Sequence, residues 1–230
     1  MTSENLFFVI FLWFSFGFQH SFFAQKYVKN IVGIFLGQNF LKFGYRFVYF
    51  LSQCFIYPIF MYFVMSVEPG SVIWVVPEKH YLLFMCVKIF SQYLLLFSVL
   101  SVDVNHFIGT KQAFIFFKCK FFKELLPSED DLISGQLTTK YLFQIVRHPM
   151  YLGILLSFLT SSIEFNELTL VNLICLMAYI EIGIFFEEKQ LIRDFKDYED
   201  YQKKVPKINP IFHLLRIIYH ILASKRWLKI

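Results

Sequence analysis

The stretch Arg147-His148-Pro149-Met150-Tyr151-Leu152-Gly153 opens one apolar segment, and the pair Glu187-Glu188 closes the apolar segment that follows it. Pro149 suits the first turn of a helix, where its missing N–H is no loss, so a helix is predicted to begin there. Ionisable groups beside a lipid-buried helix are costly, and they therefore indicate a functional site. The spacing predicts two neighbouring helices with a polar site at one membrane face.

Hydrophobic residues make up 57% of the 230-residue chain, and charged residues only 17%. A soluble domain averages about 25% charged residues, whereas the 32 Phe of this chain fall within long apolar runs. This composition predicts an integral membrane protein. The net charge of +5 is ascribed to basic loops rather than to nucleic-acid binding, because no nucleic-acid-binding motif accompanies it. Neither a disulfide framework nor a zinc site is predicted, since the cysteines are scattered: Cys54, Cys86, Cys119 and Cys175.

A membrane span needs about 20 mostly apolar residues. The short linker Glu164-Phe165-Asn166-Glu167 separates the last two apolar segments, which are therefore predicted to form a helical hairpin. The predicted fold is an all-α polytopic membrane protein with about five transmembrane helices, a C-terminal helical hairpin and a single domain over residues 1–230. The predicted spans are Leu6–Phe23, Phe47–Val67, Tyr81–Val102, the short Met150–Ile163 and Leu168–Phe186.

Basic and acidic loops alternate between these segments. Under the positive-inside rule, this alternation predicts an N-terminus outside and a C-terminus in the cytosol. The polar site between Arg147 and Glu188 then opens to the cytosol.

A cytosolic helical extension is predicted from Glu187 to Tyr201, ended by Pro206 and Pro210. The basic, aromatic segment from Ile211 to Trp227 is predicted to lie along the membrane surface. One face of the extension carries residues spaced by three and four: Glu187, Leu191, Asp194, Tyr198 and Tyr201.

Two interpretations of the Arg147 motif remain open. Arg147 and the free N–H groups of the helix start suit a carboxylate or phosphate, and His148 is placed to donate to the same anion or to act on a substrate. Gly153 allows close approach of a backbone or a ligand. In the alternative, Arg147 reaches for lipid head groups, Tyr151 lies in the aromatic belt and Gly153 packs against a helix.

Glu187 and Glu188 project about 100° apart on a helix, so they do not form a paired-carboxylate dyad. One carboxylate is suited to ribose hydroxyls or a cationic group, while the other meets solvent or Arg193. The alternative is a solvated helix end with a salt bridge. Glu181 lies seven residues before Glu188, on nearly the same face, and is predicted to face protein rather than lipid.

Three polar clusters are predicted at one membrane depth, and they carry His20, His106 and His148. Their convergence indicates a shared pocket, although a single interfacial His is usually structural. No metal is predicted, because these His do not share a helix and no acidic pattern supports them.

The order Arg147 to Gly153, Glu187-Glu188, Phe195, Tyr198, Tyr201, Val205-Pro206 and Pro210 resembles the C-terminal half of membrane methyltransferases. These include isoprenylcysteine carboxyl methyltransferase and the phospholipid methyltransferases. A second set of residues resembles the NnrU, nurim and methanethiol S-methyltransferase group. That set comprises Gln19-His20-Ser21, Tyr45-Arg46 to Tyr49, and Asn105-His106-Phe107 with Gly109 and Gln112. Nurim-type members tend to lose the Glu pair, so its presence favours an enzyme.

The resemblance implies S-adenosylmethionine as methyl donor, a cofactor-binding core over residues 141–210 and a small or lipophilic thiol as acceptor. Methanethiol, giving dimethyl sulfide, is the specific expectation. The alternatives are carboxyl methylation of prenylcysteine and a non-enzymatic, nurim-like membrane protein. The implied catalytic residues, which would assist deprotonation of the thiol, are His148, His106 and His20. The implied cofactor-binding residues are Arg147, His148, Pro149, Tyr151, Gly153, Glu187, Glu188, Tyr198 and Tyr201.

Overall fold

The computed structural model describes residues 1–102, 104–122 and 139–209, with only the backbone of Lys26, His106 and Phe107. Helices dominate, which confirms the predicted all-α class. Single turns of 3-10 helix occur at Glu78–His80 and Tyr141–Gln144. The described residues also form two short strands, β1 (Val72–Val75) and β2 (Glu164–Asn166). The α-helices of the described residues are α1 (Ser3–Ala24), α2 (Lys26–Leu36), α3 (Gln38–Phe43), α4 (Tyr45–Met65), α5 (Tyr81–Leu100), α6 (Val104–Ile108), α7 (Thr110–Phe122), α8 (Pro149–Leu159), α9 (Glu167–Asp194) and α10 (Tyr198–Lys204).

Among the described residues, four helical segments are long and apolar enough to cross a membrane: α1, α4, the segment Glu78–Leu100 that contains α5, and α9. Many of their Phe, Leu and Ile side chains are exposed at the protein surface. Such exposure is expected where the solvent of a helix is lipid, because lipid tails are as apolar as these side chains. The chain is an integral membrane protein.

The predicted fourth span is shorter than expected. Helix α8 begins at Pro149, as predicted, but it has 11 residues and therefore rises about 16 Å. The hydrocarbon core of a bilayer is about 30 Å thick. In the described ranges the structure thus has four helices of spanning length and the short α8, and the predicted number of five spans is not confirmed.

The linker between α8 and α9 forms a strand rather than a simple turn. Strand β2 pairs antiparallel with β1, with Trp74 opposite Phe165 and Val75 opposite Glu164. The side chain of Asn166 then accepts a hydrogen bond of 2.9 Å from the Thr169 amide and so caps the start of α9. This pairing joins two loops that are distant in sequence, which is why the hairpin prediction missed it.

The predicted extension of α9 as far as Tyr201 is wrong. Helix α9 ends at Asp194, and α10 begins at Tyr198 after a turn in which the Tyr198 amide donates to the Phe195 carbonyl at 3.2 Å. A straight helix would carry Tyr198 about 15 Å beyond Glu188. The turn instead lets the Tyr198 hydroxyl approach a Glu188 oxygen at 3.4 Å. Helix α10 ends before Pro206, as predicted, whereas Pro210 and the surface segment Ile211 to Trp227 lie outside the described residues.

Contacts divide the chain into two compact units. The first contains the described parts of Met1–Val75, Asp103–Gln136 and Glu164–Tyr179, and the second those of Val76–Val102, Leu137–Ile163 and Ile180–Ile230. The core of the first unit is aromatic: Trp13 and Phe16 of α1 pack on Phe60 of α4 with ring centroids 5.0 and 4.7 Å away. The Trp13 indole also donates to the Asn172 amide oxygen of α9 at 2.7 Å. That hydrogen bond satisfies both polar groups inside an apolar cluster.

In the second unit, α8 packs closely against α5 through Gly153. A Cβ atom at this position would lie 2.9 Å from the Leu95 side chain and 3.2 Å from its backbone nitrogen. The buried Gly153 is therefore placed for helix packing, the second of the two roles considered from the sequence.

We expect Gly153→Ala to lower the free energy of unfolding by about 1–3 kcal/mol, because an added methyl group overpacks this contact. Thermal denaturation in detergent measures the change. The double variant Gly153→Ala, Leu95→Ala should recover part of the loss, since it vacates the space that the methyl group needs. An unchanged denaturation midpoint of the single variant would contradict the tight contact.

Candidate functional site

Backbone pairing brings the Arg147 motif to the end of α10. The Arg147 amide donates to the Pro206 carbonyl at 2.9 Å, and the His148 amide donates to the Lys207 carbonyl at 3.1 Å. Pro149 follows at once as the first residue of α8 and is almost fully buried. The start of α8 and the segment after α10 are thereby fixed to each other.

Glu188 is the centre of a hydrogen-bonded network. Its carboxylate accepts from Arg147 Nε at 2.8 Å, lies 3.0 Å from His148 Nε2 and accepts from Gln202 Nε2 at 3.0 Å. The Tyr198 hydroxyl completes the set at 3.4 Å. Because the Glu188 side chain is 13% exposed and that of Arg147 10%, this is a charge pair largely removed from water. A charge in such a place requires these partners. We call these five residues the Glu188 network.

Arg147 also caps helix α10. Its Nη1 donates to the carbonyl oxygens of Gln202 and Val205 at 2.9 and 2.5 Å. The last carbonyls of a helix lack intrahelical donors, and the negative end of the helix dipole favours a cation there. One guanidinium therefore joins α8, α9 and α10.

Glu187 has a different environment from its neighbour. Its side chain is 46% exposed, and its carboxylate lies 3.7 Å from His148 Nδ1. The Tyr151 hydroxyl donates to it at 3.2 Å. Gly183 lies one turn earlier on α9, where a Cβ would meet only the Tyr151 hydroxyl, at 3.9 Å. We call the surface of Tyr151, Gly183 and Glu187 the Glu187 rim.

Two tyrosines support the network from α10. Tyr198 is 1% exposed, and burial, together with the nearby Glu188 carboxylate, raises the pKa of its phenol. Burial raises the pKa of Tyr201 to about 12, and its hydroxyl donates to the Phe143 carbonyl at 2.5 Å. Both side chains are therefore neutral hydrogen-bond donors at neutral pH.

Glu181 is 57% exposed and pairs with Lys207 at 2.8 Å. The prediction that Glu181 faces protein is not confirmed, because more than half of its side chain is exposed, and its partner Lys207 was not predicted from the sequence. Gln202 was missed as well. Neither residue has a motif of its own, and each acquires its role from the path of the chain after α10.

The other predicted catalytic His residues belong to the first unit. The His20 ring lies between Tyr49 and Tyr179, with centroids 5.7 and 6.0 Å away, and its carbonyl accepts from the Tyr49 hydroxyl at 3.0 Å. His106 lies on α6, where the structure describes only its backbone. The convergence of the three His into one pocket stays a prediction. Within residues 1–102, 104–122 and 139–209, no group of three or more His, Cys, Asp or Glu is arranged to hold a metal ion.

Comparison with known proteins adds information about the segment that contains most of the Glu188 network. Residues 87–198 match the family model described as phospholipid methyltransferase. This segment contains most of α5, all of α6, α7, α8 and α9, and the first residue of α10. It therefore includes Arg147, His148 and both residues of the Glu pair.

Curated relatives carry the name methanethiol S-methyltransferase. Methanethiol S-methyltransferase 2 of Bradyrhizobium diazoefficiens is 37% identical over 114 residues, or 46% of this chain and 38% of the relative. The enzyme of Pseudomonas deceptionensis is 34% identical over 113 residues, also 46% of this chain and 38% of the relative. That of Crocosphaera subtropica is 30% identical over 113 residues, with 46% and 39% covered.

The match thus spans well under half the length of these curated relatives. No solved structure gives a significant match. The resemblance to membrane methyltransferases is confirmed over about half of the chain, where residues 87–198 match the phospholipid methyltransferase model.

Proposed function

We propose that this chain is a membrane methyltransferase that uses S-adenosylmethionine and methylates a small or lipophilic thiol, with methanethiol as the specific candidate. The observation that carries the proposal is the Glu188 network. All of its residues except Gln202 lie within the segment 87–198 that matches the methyltransferase model. The named activity of the relatives supports the choice of a thiol.

The residues of the Glu187 rim fit such a cofactor. The cofactor has ribose hydroxyls, an ammonium and a sulfonium, all of which favour a carboxylate with solvent access, as Glu187 has. Because glycine has no side chain, Gly183 leaves a space beside Tyr151 that a larger residue would fill. The start of α8 is suited to the cofactor carboxylate, because the N-terminal end of a helix favours an anion.

Within this proposal, the two acidic residues have separate roles. Glu187, Tyr151 and Gly183 would contact the cofactor, while Arg147 and Glu188 would position the elements that carry them. His148 touches both carboxylates, and it is the residue best placed to orient Glu187. Tyr198 and Tyr201 would act through the network, because one is buried and the other is bonded to a carbonyl.

When bound, the cofactor would supply a methyl group already activated by its positive sulfur. The protein then contributes positioning of the two reactants rather than acid catalysis. A thiol acceptor must lose its proton, because the thiolate is the nucleophile. His148, His106 and His20 are the proposed candidates to receive that proton.

The proposed orientation places the C-terminus and the Glu188 network at the cytosolic face, with the N-terminus outside. The basic character of the loops supports this arrangement. Cytosolic S-adenosylmethionine would then reach the site from water, and a lipophilic thiol would reach it from the bilayer.

The deciding experiment is calorimetric titration of S-adenosylmethionine into detergent-purified protein, with Glu187→Gln beside the wild type. We expect saturable binding that the substitution weakens about 10- to 100-fold, because hydrogen bonds to a charged group contribute about 1.5–3 kcal/mol. The matched control Glu199→Gln, an exposed residue of α10, should bind as the wild type does.

Binding would justify screening thiols and prenylcysteines as methyl acceptors. If only prenylated acceptors were methylated, the acceptor group would be the prenylcysteine carboxylate rather than a thiol. A folded protein that binds no S-adenosylmethionine would overturn the proposal in favour of a nurim-like membrane protein.

A further inference from the structure

Three short helices of the first unit connect and accompany the ends of two membrane spans. A single residue separates α2 from α1, and a single residue separates α3 from α4. The Tyr45 hydroxyl of α4 donates to the Phe23 carbonyl of α1, so these span ends lie side by side. Helix α7 packs on α3. We call α2, α3 and α7 the short-helix platform, and it lies at one end of spans α1 and α4.

The platform presents large apolar side chains outward. On α7, Phe114, Phe117 and Phe121 recur at spacings of three and four and are 71%, 63% and 83% exposed. The opposite face of the same helix is buried at Gln112 and Cys119. A helix with an inward face already packed and a second apolar stripe outside is typical of a helix lying in a membrane interface.

The end of α2 also exposes large apolar side chains. Ile34, Phe35 and Leu36 are consecutive and are 77%, 81% and 61% exposed. Because α2 follows directly from a membrane span, these side chains are placed to enter the bilayer at the end of that span.

The charges of the platform have a single sign. The ranges Lys26–Leu36, Gln38–Phe43 and Thr110–Phe122 contain no Asp or Glu. Basic residues next to an interfacial apolar surface attract anionic lipids. The lysines of the platform are Lys26, Lys29, Lys42, Lys111, Lys118 and Lys120.

A groove of about 490 Å³ opens between the start of α3 and α7. Leu36, Phe40 and Phe116 supply apolar walls, while Asn39 and Lys120 supply polar groups at its border. Gly37 forms part of the groove with a positive φ of 89°, which favours glycine, and no atom lies within 4 Å of a Cβ built there. The groove thus combines donors for an anion with walls for the first carbons of an acyl chain.

We propose that this groove binds the head group of an anionic phospholipid from the surrounding leaflet. Lys120 and Asn39 contact the phosphate, and the exposed aromatic side chains of α2 and α7 insert into the same leaflet. The proposal is independent of the methyltransferase activity, because none of the residues that carry it belongs to the Glu188 network.

Native mass spectrometry of the full chain, titrated with phosphatidylglycerol or phosphatidylcholine, tests the groove. We expect phosphatidylglycerol to bind at least tenfold more tightly, and Lys120→Gln to remove most of that preference. Lys111→Gln is the matched control, because Lys111 lies on the same helix but does not line the groove. A lysine that acts only through the general surface charge changes affinity by roughly fivefold or less, so the control should stay within that range.

A second variant, Asn39→Leu, preserves every charge and should also weaken phosphatidylglycerol binding. Inorganic phosphate at millimolar concentration should compete poorly, because it lacks the acyl chains that the walls contact. Equal losses in Lys120→Gln and Lys111→Gln, equal affinity for both lipids, or full displacement by phosphate would each overturn the proposal.

Discussion

Replacement of Arg147 by alanine should lower the free energy of unfolding by about 3–5 kcal/mol, since removing one partner of a buried ion pair leaves the other without compensation. The substitution also deprives the carbonyls of Gln202 and Val205 of their donor. S-adenosylmethionine binding should fall by more than tenfold, because the start of α8 loses its connection to Glu188. The apolar character of the spanning helices does not depend on Arg147, so the variant should still insert in the membrane.

Thermal denaturation in detergent and calorimetry of the cofactor measure the two effects. Arg193→Ala is the matched control, because Arg193 is an exposed arginine of α9 and should change neither quantity. Arg147→Lys should retain part of the stability. It keeps the charge but loses the planar fork that contacts a carboxylate and two carbonyls at once. Wild-type stability and affinity in Arg147→Ala would exclude the capping role.

Glu188→Gln should give the second largest effect, with a loss of stability of about 1.5–3 kcal/mol and a turnover at least tenfold lower. The amide retains the shape of the carboxylate, but it removes the counter-ion of Arg147. It also places N–H donors where Arg147, His148 and Gln202 now direct their own nitrogens. Expression should persist, because the change is confined to one network.

The neighbouring residue provides the control within the same motif. Glu187→Gln should weaken cofactor binding while leaving the denaturation midpoint nearly unchanged, because its side chain is 46% exposed and exposed pairs contribute little. The two variants thus separate a positioning residue from a contact residue. If Glu187→Gln is as destabilising as Glu188→Gln, the separate roles are refuted.

The long apolar helices and the start of α8 at Pro149 could be predicted from sequence, because both follow from local composition. The spacing predicted one polar site with Arg147 and the Glu pair, and in the structure Arg147 contacts Glu188. The different environments of Glu187 and Glu188 could not be predicted, since helix geometry fixes their 100° separation but not which side faces the protein.

Features that depend on distant chain segments were also beyond the sequence. The strand pairing of Trp74 with Phe165 joins two loops about ninety residues apart, and short strands carry little periodic signal. The turn after Asp194 breaks a face that was regular in sequence, because Tyr198 is stabilised by burial and by Glu188 rather than by helix continuation. Local patterns therefore identified the participants, whereas tertiary contacts decided their positions.

The separation of Arg147 from its partners has a consequence for biogenesis. The guanidinium is synthesised 41 residues before Glu188 and 58 residues before the Val205 carbonyl. At synthesis rates of about 5–20 residues per second, the last of these partners follows after roughly 3–12 s. Until Glu188 follows, Arg147 lacks its counter-ion, while α9 must still enter the bilayer. The network is therefore complete only after α10 has been made, and a nascent chain that stops before Glu188 would present an uncompensated arginine at the start of α8 to the quality-control machinery of its membrane.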